Sequence, residues 1–236
     1  MTTDTKFSFV DSEYTQADGS AMKSLQGSCT DGTYVYALKT DGNDDETRVV
    51  RIDPKTWTVD MIGPIVNVGH ANDLTYNPNT GYLYAIHMGT TYTLIDPSTL
   101  NAVSQKTLSK SFFSMAYSEI GDRYVVTKTG QSKYNFALMV YDGELKTCTS
   151  EFETVRLGYT AQGIFCDSHY IYYSQSGITN AAKNIITVYT WGGERVCLLY
   201  VDNVDEIESI FWYDGAFYAA FNGDAGTDYI AQLIVK

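Results

Sequence analysis

One phrase recurs five times along this chain. It reads QGSCTDGTYVYA from Gln26, NDLTYNPNTGYLYA from Asn72, FSMAYSEIGDRYVV from Phe113, QGIFCDSHYIYY from Gln162 and ESIFWYDGAFYAA from Glu208. Aligned, the copies place Tyr36, Tyr84, Val125, Tyr172 and Tyr218 in one column, at spacings of 48, 41, 47 and 46 residues. A unit of that length cannot close a core by itself and has to stack on its neighbours. Within each copy apolar and polar residues alternate, the pattern of a half-buried strand, and no segment holds a helical period.

The second half of each unit is strand-like too: TRVVRIDPKTWTV, TYTLIDPSTLNAV, FALMVYDGELKTC and NIITVYTWGGERVCLL. Two of these carry IDP-x-T, a tight turn with Pro at its second position and Asp before it. Each unit therefore reads as four short strands joined by hairpins. The fifth copy ends after DYIAQLIVK, one strand short, and the alternating KFSFVD near the N-terminus is free to supply it. The expected fold is all-β: a five-bladed β-propeller of four-stranded antiparallel blades in a single domain, residues 1–236, with the last blade closed by the N-terminal strand. Such closure hides a strand edge that would otherwise recruit other chains. A β-sandwich would leave the aligned column unexplained.

In a propeller the first strand of every blade lines the central axis. The first column of the phrase is Gln26, Asn72, Phe113, Gln162 and Glu208. The second is Gly27, Asp73, Ser114, Gly163 and Ser209, small because backbones crowd there, with Asp73 as the exception. The first column should stand at the mouth of the axis and form a convergent polar site. His70 precedes the second copy. The loops sharing this mouth add Tyr92, Tyr134, Tyr159 and Asn180, groups suited to a sugar or peptide. The expected ligand-binding set is Gln26, Asn72, Asp73, Gln162, Glu208, His70, Tyr92, Tyr134 and Tyr159. Glu208 and Asp73 are the candidate acids if the site is catalytic.

Charge narrows the partners. The net charge is −12 and no run of Lys and Arg interrupts it, so nucleic acid and anionic membranes are poor partners. No apolar run is long enough to span a membrane, and MTTDTKFSFV lacks the features of a signal peptide, which leaves cytoplasmic, virion-associated and secreted settings open. DGNDDE places Asp41, Asn43 and Asp45 at alternate positions, but the glycine and distal acid of a calcium loop are missing. His70, His87 and His169 lack metal-ligand spacing, so neither a metal nor a cofactor is expected. Cys29, Cys148, Cys166 and Cys197 fall on strands too far apart to bridge, and four free thiols are expected.

The Q-G-x-x-x-D-x-x-Y phrases at Gln26 and Gln162, with IESIFWYDGAFYAAF near the end, resemble repeats of the plant and bacterial glutaminyl cyclase propellers. They also resemble propeller modules of bacterial cell-surface and phage proteins. The first resemblance implies acyl transfer with an acidic group at the axis, Glu208 or Asp73. The second implies an interaction module. No nucleophile elbow, phosphate loop or dinucleotide fingerprint is present. The reading that fits best is a non-enzymatic module binding a glycan, peptide or protein; the alternative is an enzyme with axial carboxylates, cyclase-like or a glycoside hydrolase.

Overall fold

The computed structural model describes residues 1–41, 46–129, 137–155, 157–177, 183–223 and 226–235. Among them the only helical element is one short 3-10 turn at Asp11–Glu13. The rest of the regular structure is strand. β1 is Thr2–Ser8. β2 (Ser24–Thr30), β3 (Val35–Thr40), β4 (Thr47–Asp53) and β5 (Thr58–Val66) form a four-stranded meander. Next come β6 (Asp73–Asn77), β7 (Tyr82–Ile86), β8 (Gly89–Ile95), β9 (Ala102–Ser118), β10 (Arg123–Lys128), β11 (Ala137–Asp142) and β12 (Cys148–Glu153), joined as one seven-stranded sheet. β13 (Thr160–Cys166), β14 (Tyr170–Ser176), β15 (Asn184–Thr190) and β16 (Arg195–Val201) form another meander. β17 (Glu206–Tyr213), β18 (Ala216–Asn222) and β19 (Tyr229–Ile234) form the last sheet, with β1 as its fourth strand.

Among the described residues every pairing is antiparallel and no sheet closes on itself. The seven-stranded sheet departs from the expected separate four-stranded sheets, and β9 is the reason. Its first half pairs with β8 (Thr91↔Thr107 to Ile95↔Ala102) and its second half with β10 (Arg123↔Ser118 to Lys128↔Phe112). One uninterrupted 17-residue strand is thus the outer strand of one unit and the first strand of the next.

The tyrosine column is a true register position. Cys29↔Tyr36, Thr75↔Tyr84, Ala116↔Val125, Phe165↔Tyr172 and Phe211↔Tyr218 are equivalent pairs in the five first hairpins. The chemistry behind the phrase is a latch. Asp31 Oδ1 accepts the N–H groups of Thr33 and Tyr34 at 2.7 Å each, and Asp31 Oδ2 accepts the Tyr36 hydroxyl at 2.8 Å. Asp167 does the same with His169, Tyr170 and the Tyr172 hydroxyl at 2.7, 2.7 and 2.9 Å. An Asp that caps its own turn also anchors the strand that leaves it.

The core lies between successive units. Leu38 and Val49 pack with Leu74, Leu83 and Ala85; Met115 and Val126 pack with Tyr84 and Ile86; Val35 and Val50 pack with Phe211 and Ala220. First strands are neighbours in turn: β2 lies against β6 and β17, β6 against β9, β9 against β13, and β13 against β17. β1 runs beside β19 from Thr2↔Ile234 to Ser8↔Tyr229. It starts before KFSFVD and ends before Asp11, because Phe9 turns into the core and Asp11 swings to Lys39 Nζ at 2.8 Å. Lys39 is fully buried, also paired with Asp228, and lies 5.6 and 5.9 Å from the ring centres of Phe9 and Tyr14. All four cysteines are free, Cys29 and Cys166 buried and Cys197 exposed.

Candidate functional site at the axial mouth

The first strands meet tightly at the second column. A Cβ on Gly27 would stand 2.4 Å from the backbone carbonyl carbon of Asp73, and one on Gly163 would stand 2.7 Å from the Glu208 carbonyl oxygen. Ser28 and Ser209, from β2 and β17, share a hydrogen bond of 2.6 Å. Asp73 sits among these backbones. Its Oδ1 accepts the Leu74 N–H at 2.9 Å, and its Oδ2 accepts the N–H groups of Met115 at 3.1 Å and Ile164 at 3.2 Å. One carboxylate therefore ties β6, β9 and β13 together. Burial pushes its carboxyl up to about 8, against the pull of those three donors.

On one side of this knot the first column opens. In four of the five first hairpins the ladder is broken at or beside that column: between Leu25 and Ser28, opposite Thr127 and Lys128, between Ala161 and Ile164, and between Ile207 and Ser209. In the fifth, Asn72 stands just before β6 and bonds through its N–H to Ile86 O at 2.8 Å. Bulges of this kind re-aim side chains and collect beside binding sites. Here they turn Gln26, Phe113, Gln162 and Glu208 toward a common cavity of about 490 Å³, which Asn72 also lines. His70, Asp41, Glu206 and Asn222 also line it.

The polar ends are held. Asn72 Nδ2 donates to Phe113 O at 2.8 Å, while its Oδ1 is buried and without a partner. Gln162 Nε2 donates to Glu206 Oε1 at 2.7 Å and to Ser176 Oγ at 3.2 Å. Glu208 is buried; desolvation, and then the nearby Glu206 and Asp228 carboxylates, hold its carboxyl well above the usual range, with Asn222 pulling the other way.

Of the nine residues expected in the site, Gln26, Asn72, Gln162, Glu208 and His70 line the cavity. Asp73 does not; it faces the backbones beneath. Tyr92 is a correction: β8 begins at Gly89, so Tyr92 is a strand residue opposite Ile86, and its ring stacks on Tyr84 at 5.6 Å in the core. Tyr159 is half-buried just ahead of β13, and Thr160 and Ala161 line the wall instead. Tyr134, Asn180, Asn43 and Asp45 lie outside the described residues. Sequence reasoning missed Asp41, Glu206 and Asn222. A signal existed for the last: Met88, Ser176 and Asn222 each stand four residues beyond the tyrosine column, where the second strand reaches the same mouth.

No protein-family profile matches the chain, and no curated protein matches it either. Solved structures do. The tail fibre of Staphylococcus aureus phage P68 superposes with a TM-score of 0.66 at 12% identity, covering 98% of this chain and 52% of that one. Hydrazine synthase of Kuenenia stuttgartiensis gives 0.52 at 14% identity, covering 86% and 56%. BamB of Moraxella catarrhalis gives 0.43 at 13% identity, covering 88% and 59%. This chain spans a little over half the length of these proteins. The likeness to the phage tail fibre and to hydrazine synthase supports a propeller-like fold, and the structure itself is all-β, with antiparallel four-stranded sheets beside the seven-stranded one.

Proposed function

We propose that residues 1–236 form a single five-bladed β-propeller that serves as a non-enzymatic binding module, with the axial mouth as its site. The cyclic adjacency of β2, β6, β9, β13 and β17 supports the blade count, and the pairing of β1 with β19 supports closure through the N-terminal strand. The observation that carries the function is the cavity. The whole first column converges on one hole of about 490 Å³, within the range of small-ligand sites. Its lining carries amide, carboxyl, hydroxyl and imidazole groups with Phe113 and Met88 as apolar wall, a surface suited to a sugar or peptide group. The tail-fibre likeness fits a part that presents such a site on a phage or bacterial surface. A catalytic reading built on Glu208 and Asp73 would need both acids free toward a substrate, whereas Asp73 is bonded to three backbone N–H groups.

The test is a glycan and peptide panel applied to wild type, Gln26→Leu and Glu208→Gln, with melting temperatures measured alongside. Binding by wild type that falls in both variants at unchanged melting temperature supports the mouth. Binding that survives both changes places the ligand elsewhere.

A further inference from the structure

Among the described residues, two of the four amides that line the mouth, Asn72 and Gln162, are fixed in direction. Asn72 spends its donor end on Phe113 O, which fixes the orientation of the amide and leaves Oδ1 buried, without a partner. Gln162 spends its donor end on Glu206 and Ser176, so its oxygen is the end left over. Asp41 and Glu206 add carboxylates to the same lining and Glu208 a buried carboxyl, and no Lys or Arg stands among the described residues that line it. Lys39, the buried cation in contact with Asp228, is already matched by Asp228 and Asp11. A buried acceptor without a donor costs free energy that a ligand can recover.

We propose that the mouth selects a primary ammonium group, as on an amino sugar or an amine-bearing peptide. The inference rests on the mouth being a binding site and adds the charge of what it binds. An ammonium carries three donors and no acceptor, which matches the oxygen ends that Asn72 and Gln162 leave over. Its charge also suits a lining that holds Asp41 and Glu206 and, among the described residues, no Lys or Arg, and Phe113 and Met88 give the carbon skeleton an apolar wall. A bare metal ion fits less well, because the hole is far larger than an ion, and among the described residues no three His, Cys, Asp or Glu side chains come together as a metal cluster.

The experiment uses matched pairs that differ in one charge: glucosamine against N-acetylglucosamine, and putrescine against N-acetylputrescine, with glucose as the neutral reference. Binding is followed at millimolar concentration through the side-chain amide NMR signals of Asn72 and Gln162, assigned with Asn72→Ala and Gln162→Ala. The expected result is that the amines shift these signals, that acetylation of glucosamine weakens binding by roughly tenfold or more, and that Glu206→Gln weakens the amines by a similar factor while sparing glucose. Equal binding of glucosamine and its acetylated or neutral counterparts overturns the ammonium proposal and leaves the mouth as a site for neutral ligands. Binding of none of these, together with a panel ligand that does bind at the mouth, overturns it as well. No binding at the mouth by any probe or panel member sinks both readings.

Discussion

The same five strands make both ends of the axis, and the two ends are unlike. At the Asp73 knot the strands pass from a wide polar hole of about 490 Å³ to a narrow one of about 90 Å³. The narrow end is lined by Cys29, Leu74, Ala116, Ile164, Ile210 and Phe211 among others, residues two to four places beyond the first column along the same strands. There the hairpin pairing is regular, with Ser28↔Ala37, Leu74↔Ala85, Met115↔Val126, Ile164↔Tyr173 and Ile210↔Ala219 in step. At the wide end the ladders break. The comparison teaches that the scaffold and the site are separable even within one strand: regular register builds the packed end, and interrupted register releases side chains for recognition.

The contrast can be broken most severely at the knot. Gly27→Ala puts a carbon against the Asp73 backbone, and main chain cannot yield as a side-chain tip does. The expected loss is about 3 kcal/mol or more, measured by urea unfolding. A smaller loss means that β2 and β6 separate easily, and the two ends are then less divided than they look.

Asp73→Asn comes next, at about 1–3 kcal/mol, because an amide cannot accept on both sides from three N–H groups. The pH dependence sharpens it. Asp73 titrates near 8 in the fold and near 3.9 in the unfolded chain, so the native state holds the proton more tightly between those values. The stability linked to that proton is complete below about pH 4 and is lost as the pH rises to about 8. The Asn variant does not titrate there, so its deficit relative to wild type should narrow over that window. A deficit that widens instead means that the three donors outweigh burial and hold a carboxylate.

At the wide end Gln26→Leu should leave stability within about 0.5 kcal/mol of wild type while ligand affinity falls at least roughly tenfold. Ile164→Val at the narrow end should do the reverse, costing about 1 kcal/mol with binding unchanged. The gentlest probe is a thiol reagent. Denatured protein should titrate four thiols, whereas in the native fold Cys197 should react first and Cys29 and Cys166, which burial holds in the thiol form, should wait for unfolding.

The units, their order and the small second column were legible in the sequence because repetition exposes register: five noisy copies agree where one would not. Gln26, Asn72, Gln162 and Glu208 were legible for the same reason. The role of Asp73 was not, since a carboxylate facing a ligand and one facing backbone N–H groups look identical in a string of letters. Tyr92 was misplaced by the start of β8, where Gly89 at φ 144° continues the strand instead of opening a loop. The Q-G-x-x-x-D-x-x-Y phrase carried a resemblance to an enzyme family, and its Asp turns out to be the turn latch: Asp31 and Asp167 accept the backbone N–H of the phrase's own Tyr34 and Tyr170 and the hydroxyls of Tyr36 and Tyr172, two residues further on. It speaks for geometry before chemistry.

β9 has a bearing on how the molecule comes apart. The links from β5 to β6, β12 to β13 and β16 to β17 leave regular strand pairing before entering the next unit, whereas β9 crosses without a break. Peeling its outer half from β8 therefore pulls on the same continuous strand whose inner half pairs with β10. Amide hydrogens from β6 to β12 should accordingly exchange as one cooperative block, slow together and lost together, while the other sheets are free to open with protections of their own.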